Sequence, residues 1–210
     1  MIMKNRTPNF TTTLRNLAIA GLAGGIMALS AAPAARADDA AQTPAVDISR
    51  EYLIKAAILY NFAKFAEWPA ASFSDVDAPL RICVIGDDPF GPALTSLHGK
   101  TVRDRALAAT RIAHIEDAPA CHMLFVSASE QGRLAGILGA VDTLPILTVA
   151  DMDAFTGSGG IVALREAEDR SRLEINVGAA KKAGLKLSSK LLRLADTVST
   201  QRAELPRGSK

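Results

Sequence analysis

The chain has 210 residues, with 24 Lys or Arg against 22 Asp or Glu, a formal net charge of +2. Four of the basic residues (Lys4, Arg6, Arg15 and Arg36) fall in the first 37 positions, which hold no acidic residue, so the remainder carries 20 basic and 22 acidic residues, a net of −2. A nearly neutral domain lacks the electrostatic footprint of a nucleic-acid binder, and the basic balance of the whole chain carries no functional meaning.

Residues 1–37 read as a secretory signal. A basic start is followed by an uncharged stretch from Leu17 to Ala32, and then by Ala35-Arg36-Ala37 directly before Asp38-Asp39. Basic start, apolar middle and A-x-A end are the three parts of such a signal. The apolar stretch, about 16 residues, is short of the ~20 that cross a bilayer as a helix. No Cys follows it and no Arg-Arg pair precedes it, which disfavours a lipid anchor and twin-arginine export. Cleavage is expected after Ala37, with Ala34 as the alternative. The expected organisation is a signal peptide (1–37), a flexible N-terminal segment (38–48), one α/β domain (49–196) and a flexible tail (197–210), located in the periplasm.

The first element is a helix from Ser49 to Glu67, stopped by Pro69. It is apolar on more than one side, with Leu53, Ala57 and Tyr60 on one and Ile54, Ile58, Phe62 and Phe65 on the other, so burial or a partner is expected to cover it. LRICVIG, from Leu80, is a short β-branched run and reads as a central strand. A helix follows at about Pro89–Leu97, then strands near Leu107–Ile112 and at Cys121–Ser127. Glu130–Val141 reads as a helix and Pro145–Asp151 as a strand. After a Gly-rich turn at Phe155–Gly160, Ile161–Leu164 and Leu173–Val177 pair as a hairpin, and two helical pieces close the domain at Gly178–Ala183 and Ser188–Ala195. This alternation predicts a single compact α/β domain: a mostly parallel central sheet of about five strands, helices on both faces, and a late antiparallel hairpin.

Few motifs carry chemistry. Cys83 and Cys121 form an even pair, which an oxidising compartment favours as a bridge; buried reduced thiols are the alternative. Gly86-Asp87-Asp88-Pro89 lies where a strand meets a helix, an edge at which α/β sheets bind ligands, but a plain turn explains it too. His98, His114 and His122 show no metal-binding spacing, Ser127 and Ser129 are outside any nucleophile elbow, and no glycine-rich loop opens a helix as a phosphate cradle does. No catalytic residue, metal or cofactor is assigned. Two segments stand out instead as interface candidates: Asn61, Lys64 and Trp68 near the end of the first helix, and Arg172, Glu174 and Asn176 on one face of a late strand. One surface built from both groups is expected, with Glu174 positioned to hold Arg172.

YNFAKFAEWP near the start resembles a known pattern. ICVIGDDPFG, ACHMLFVSAS, LTVADM, GGIVAL and LEINVGAAKKAGLKLSSKLLRLA follow in the order of the YfiR-like family of periplasmic proteins, from about Glu51 to Ala195. The resemblance implies a compact α/β sandwich, often dimeric, and a non-enzymatic regulator. Such a protein represses a membrane-bound diguanylate cyclase by binding its periplasmic domain; release, aided by an outer-membrane lipoprotein, raises cyclic di-GMP and promotes biofilm. Cys83 and Cys121 match a disulfide position of the family, whereas the cysteines of a second family disulfide are absent here. The competing readings are a periplasmic small-molecule-binding protein that delivers a ligand to a transporter or receptor, and a small hydrolase, which no motif supports.

Overall fold

The computed structural model describes residues 50–167 and 170–200. The expected signal peptide, the segment 38–48 and residues 201–210 of the expected tail lie outside the described residues. The first helix, α1 (Arg50–Phe65), buries Lys55, Ala56, Leu59, Phe62 and Ala63. That is a single stripe at i, i+4 and i+7. Neither apolar side expected from the sequence is buried whole: Leu53 and Ile54 are 48% and 46% exposed. The helix also ends two residues early. Ala66–Glu67 form a short strand, β1, which pairs antiparallel with β9 (Lys186–Leu187), and the Phe65 carbonyl accepts from the amide of Ser188.

The main sheet contains β2 (Leu80–Ile85), β3 (Thr101–Val102), β4 (Arg105–Ile112), β5 (Met123–Val126), β6 (Leu147–Ala150), β7 (Val162–Ala167), β8 (Arg170–Asn176) and β10 (Thr197–Ser199). Their order is β10-β8-β7-β6-β5-β2-β4-β3. The five strands from β7 to β4 are mutually parallel, and β7 with β8 is the antiparallel hairpin. Eight strands, not about five, make the sheet. The hairpin's second arm accounts for one, the two-residue β3 for another, and the last is β10. This strand lies within the segment expected to be a flexible tail and pairs parallel with β8, Thr197 opposite Glu174.

β5 and β6 are buried at every position, as strands covered on both faces must be. One core lies between the sheet and α1, α2 (Pro92–Thr95), α4 (Val177–Lys182) and α5 (Ser189–Leu192). The other is covered by α3 (Leu134–Val141) and a 3-10 helix at Ile115–Ala120. Each strand divides its side chains by parity: Ile82 and Val84 enter the first core, Cys83 and Ile85 the second. The helix expected at Glu130–Val141 is a 3-10 helix over Ala128–Arg133 and then α3.

Cys83 and Cys121 are bonded, with their Cα atoms 5.9 Å apart. β2 and β5 are neighbours in register, Ile82 opposite Met123, so Cys121, two residues ahead of β5, arrives beside β2. No helix among the described residues is long and apolar enough to cross a membrane.

Candidate functional site

The two groups of sequence-derived interface residues do not form one surface. Leu173 and Ile175 of β8 belong to the core beneath α1. The strand's period of two therefore aims Arg172, Glu174 and Asn176 at the opposite face of the sheet. Asn61 and Lys64 are exposed on α1, as is Arg172 on β8. Glu174 is half-buried and engages Arg165 Nη1 at 2.9 Å and the Thr156 hydroxyl at 3.2 Å, rather than Arg172. Asn176 is buried, at 1% exposure. Its Oδ1 accepts from the Ala179 amide and caps α4, while its Nδ2 donates to the Thr156 carbonyl.

Trp68 is half-buried and anchors the chain that leaves β1. Its indole N–H donates to the His122 carbonyl at 2.8 Å. The His122 ring stacks on Phe73 at 4.3 Å, and Phe73 carries the Arg105 guanidinium on its other side, 3.8 Å from the ring centroid. The Arg81 amide donates to His122 Nδ1, which puts the ring proton on Nε2, where it reaches the Ser72 carbonyl at 3.1 Å. Burial lowers the His122 pKa, with the nearby charges of Arg81 and Arg105 adding to that effect and the Ser72 carbonyl opposing it.

At the carboxyl ends of the parallel strands lies a cleft of ≈ 490 Å³ whose walls include Glu51, Tyr52, Lys55, Gln131, Asp151 and Arg165. Numbered along the chain, the five parallel strands lie in the order second, first, third, fourth, fifth, and ligands of such sheets bind beyond their carboxyl ends. Asp151 directly follows β6, and Lys55 is a cation within the otherwise apolar buried stripe of α1. Lys55 Nζ meets Asp151 Oδ2 at 2.8 Å, both side chains being under a tenth exposed, and also pairs with Glu51. The Tyr52 hydroxyl donates to the same Asp151 oxygen at 3.1 Å. Burial works against the Lys55 charge, but its hydrogen bonds to Asp151 and Glu51 prevail and its pKa is raised. The Tyr52 pKa is pushed up to about 12, first by burial and then by Asp151. At neutral pH Lys55 is charged and the Tyr52 phenol is neutral. Arg165 completes the rim through Asp153 at 2.7 Å and Glu174.

Sequence reasoning missed Tyr52, Lys55, Asp151 and Arg165. Two signals were available: a lysine on the apolar side of a helix, four residues before Leu59, and an aspartate at the end of a buried strand. In the Asp-Asp pair after β2, by contrast, Asp87 is exposed and Asp88 is structural. Asp88 receives Arg111 Nε at 2.6 Å and caps the Phe90 amide. The point between β2 and β5 is filled: Gly86 has φ +87°, and a Cβ there would lie 2.5 Å from the Ser129 hydroxyl.

A family model described as YfiR/HmsC-like matches residues 52–196. No match is found among curated proteins. Among solved structures, the chain is similar to a conserved domain protein from Vibrio cholerae O1 biovar El Tor, at 13% identity and a TM-score of 0.42, covering 57% of this chain and 54% of that one. It is also similar to the ABC domain from Streptococcus pneumoniae solved in complex with L-Trp, at 7% identity and a TM-score of 0.43, covering 57% and 55%. The chain thus spans about half the length of each.

Proposed function

The chain belongs to the YfiR/HmsC-like family, a family of periplasmic regulators of cyclic di-GMP signalling, and from this premise we propose that it represses a membrane-bound diguanylate cyclase or related sensor. It does so by binding the partner's periplasmic domain, and so lowers cyclic di-GMP; an outer-membrane lipoprotein relieves the repression. The observation that carries this reading is the extent of the family match, from the start of α1 to the residue before β10, which takes in the whole parallel sheet. Asn61 and Lys64 belong to the exposed side of α1, which also shows the apolar Leu53, Ile54 and Ala57. An apolar patch with a polar rim is what a partner surface covers. Trp68 positions the segment after the helix, and Arg172 marks a second exposed position on the far face.

The test measures cyclic di-GMP in a strain lacking the native gene and complemented with variants, beside the melting temperature of each purified variant. Lys64→Ala or Arg172→Ala is expected to raise cyclic di-GMP with a nearly unchanged melting temperature. Loss of an interface anchor commonly costs about 2 kcal/mol of binding. Normal repression by every exposed-site variant would remove the assignment of these residues. A wild-type protein that neither represses nor co-purifies with a membrane sensor would remove the regulatory reading itself. The alternative, a binding protein that delivers a small molecule to a transporter or receptor, is favoured by the cleft beside Lys55, and isothermal titration with periplasmic extracts depleted of macromolecules tests it.

A further inference from the structure

The cleft at the carboxyl ends of the parallel strands carries more acid than base. Glu51, Asp151 and Asp153 stand in its walls against Lys55 and Arg165, and Glu174 behind Arg165 adds a further carboxylate. Both cations are already held. Lys55 lies between Glu51 and Asp151, and Arg165 between Asp153 and Glu174. The carboxylates are not used up. Asp151 receives Lys55 and Tyr52 on Oδ2 alone. Its Oδ1 accepts no hydrogen bond among the described residues, although the side chain is only 8% exposed. A carboxylate oxygen so placed costs free energy until a donor reaches it. The oxygen is not sealed inside the protein, because the buried side-chain atom without a partner among the described residues is Ser72 Oγ. Asp151 Oδ1 therefore opens on the cleft whose wall Asp151 forms. Glu51 holds Lys55 through Oε1 and Asp153 holds Arg165 through Oδ1, so each also has an oxygen to offer.

We propose that this cleft binds a small organic cation, with its ammonium group among Glu51, Asp151 and Asp153 and its carbon skeleton against Tyr52, Ala128 and Met152. The assignment rests on the small-molecule reading of the cleft and is independent of the repression of a cyclase. An ammonium group brings donors and no acceptor, and ionised carboxylates accept only. Charge-assisted contacts of this kind are stronger than neutral ones. The cleft volume of ≈ 490 Å³ falls within the range of about 300–1,000 Å³ typical of small-molecule sites.

The same residues disfavour the other ligand classes. An anion would have to draw Lys55 or Arg165 away from a carboxylate, and stripping Lys55 from Asp151 leaves a buried charge without its partner. A bare metal ion lacks ligands, since no three His, Cys, Asp or Glu residues among the described residues are placed to hold one. An uncharged ligand leaves the acidic excess uncompensated.

Isothermal titration of the exported protein at low salt tests the class of ligand. The probes are butylamine and 1,4-diaminobutane, with 1,4-butanediol and succinate as neutral and anionic counterparts. Both amines are expected to bind, the diamine more tightly and less so as salt rises, and the diol and succinate are expected not to. Glu51 and Asp153 are 32% and 81% exposed, so Glu51→Gln and Asp153→Asn are expected to keep the wild-type melting temperature. Each is expected to weaken amine binding roughly three- to tenfold, the range for a charged contact partly open to water. Arg165→Gln removes a competing cation and is expected to tighten binding about threefold, the opposite of what a purely structural role would give. No heat from either amine, succinate binding as well as the amines do, or affinities unchanged by all three substitutions would each overturn the assignment. Heat from the depleted periplasmic extract without heat from either amine would remove the cationic class while keeping a ligand in the cleft.

Discussion

His122 ties the loop after β1 to the sheet through both of its ring nitrogens, and only the neutral ring can do so. Protonating Nδ1 turns the acceptor for the Arg81 amide into a second donor. Burial holds the folded-state pKa below the ordinary value of 6.5, so the unfolded chain takes up this proton first as pH falls. Stability from this group is therefore complete above pH ~6.5 and declines below it, until the folded pKa is reached. Denaturant unfolding at a series of pH values is expected to show the decline, and His122→Asn to flatten it. The role of His122 was not legible in the sequence, because its partners come from two distant segments: the backbone of Ser72 with the neighbouring ring of Phe73, and the backbone of Arg81. Lys55 differs. Its place in the apolar stripe of α1 was visible, but the carboxylate that justifies its burial lies 96 positions away.

The end of β8 shows how far local pattern reaches and where it stops. Alternation correctly places Arg172, Glu174 and Asn176 on one face of a strand, yet exposure falls along that face from Arg172 to the buried Asn176. The strand runs into α4, and the first turn of a helix needs its amides satisfied. Asn176 supplies an acceptor through Oδ1 while Nδ2 holds the Phe155–Gly160 turn through the carbonyl of Thr156. Asn176→Ala removes both contacts and is expected to destabilise the protein by about 2 kcal/mol, the upper end for a lost helix cap, measurable by urea titration. Asn176→Asp keeps the acceptor and is expected to cost less. Elements with a strong period were legible: β2, β5, β6 and the hairpin. The two-residue strands β1, β3 and β9 were not, since so short a pairing is imposed by the neighbours it meets. The same holds for the end of α1, where Pro69 suggested a later stop than the turn into β1 allows.

Across the whole molecule, the sequence announced a parallel sheet with helices on both faces but not the order of its strands. Buried strands read alike, as runs of Val, Ile and Leu, and nothing in β2 says that it lies between β4 and β5. The cysteines were the exception, since an exported even pair called for neighbouring strands. Their bridge closes a loop across 38 positions and limits the freedom of the unfolded chain by about 4 kcal/mol in the chain-entropy model. Replacing both Cys83 and Cys121 by Ser is expected to lower unfolding stability by an amount of this order, read in urea, and to leave the far-ultraviolet spectrum of the folded protein unchanged. The expected single surface failed at this scale as well. Its two halves were each plausible residue by residue, but only the sheet, by dividing inside from outside twice, determined that they look in opposite directions.

The placement of β2 also bears on time. It is the first of the parallel strands along the chain and comes to lie between β4 and β5, so it has no parallel neighbour until the residues of β4 and β5 have followed it. Assembly of the sheet must wait for meetings between segments far apart, and searches of that kind are slow. While they last, LRICVI is an apolar run without a partner, the sort of segment that aggregates. A bond between Cys83 and Cys121 holds β2 within reach of the start of β5 during this interval. Oxidation then acts on the route to the native state as well as on its final stability, by shortening the period in which β2 stands alone.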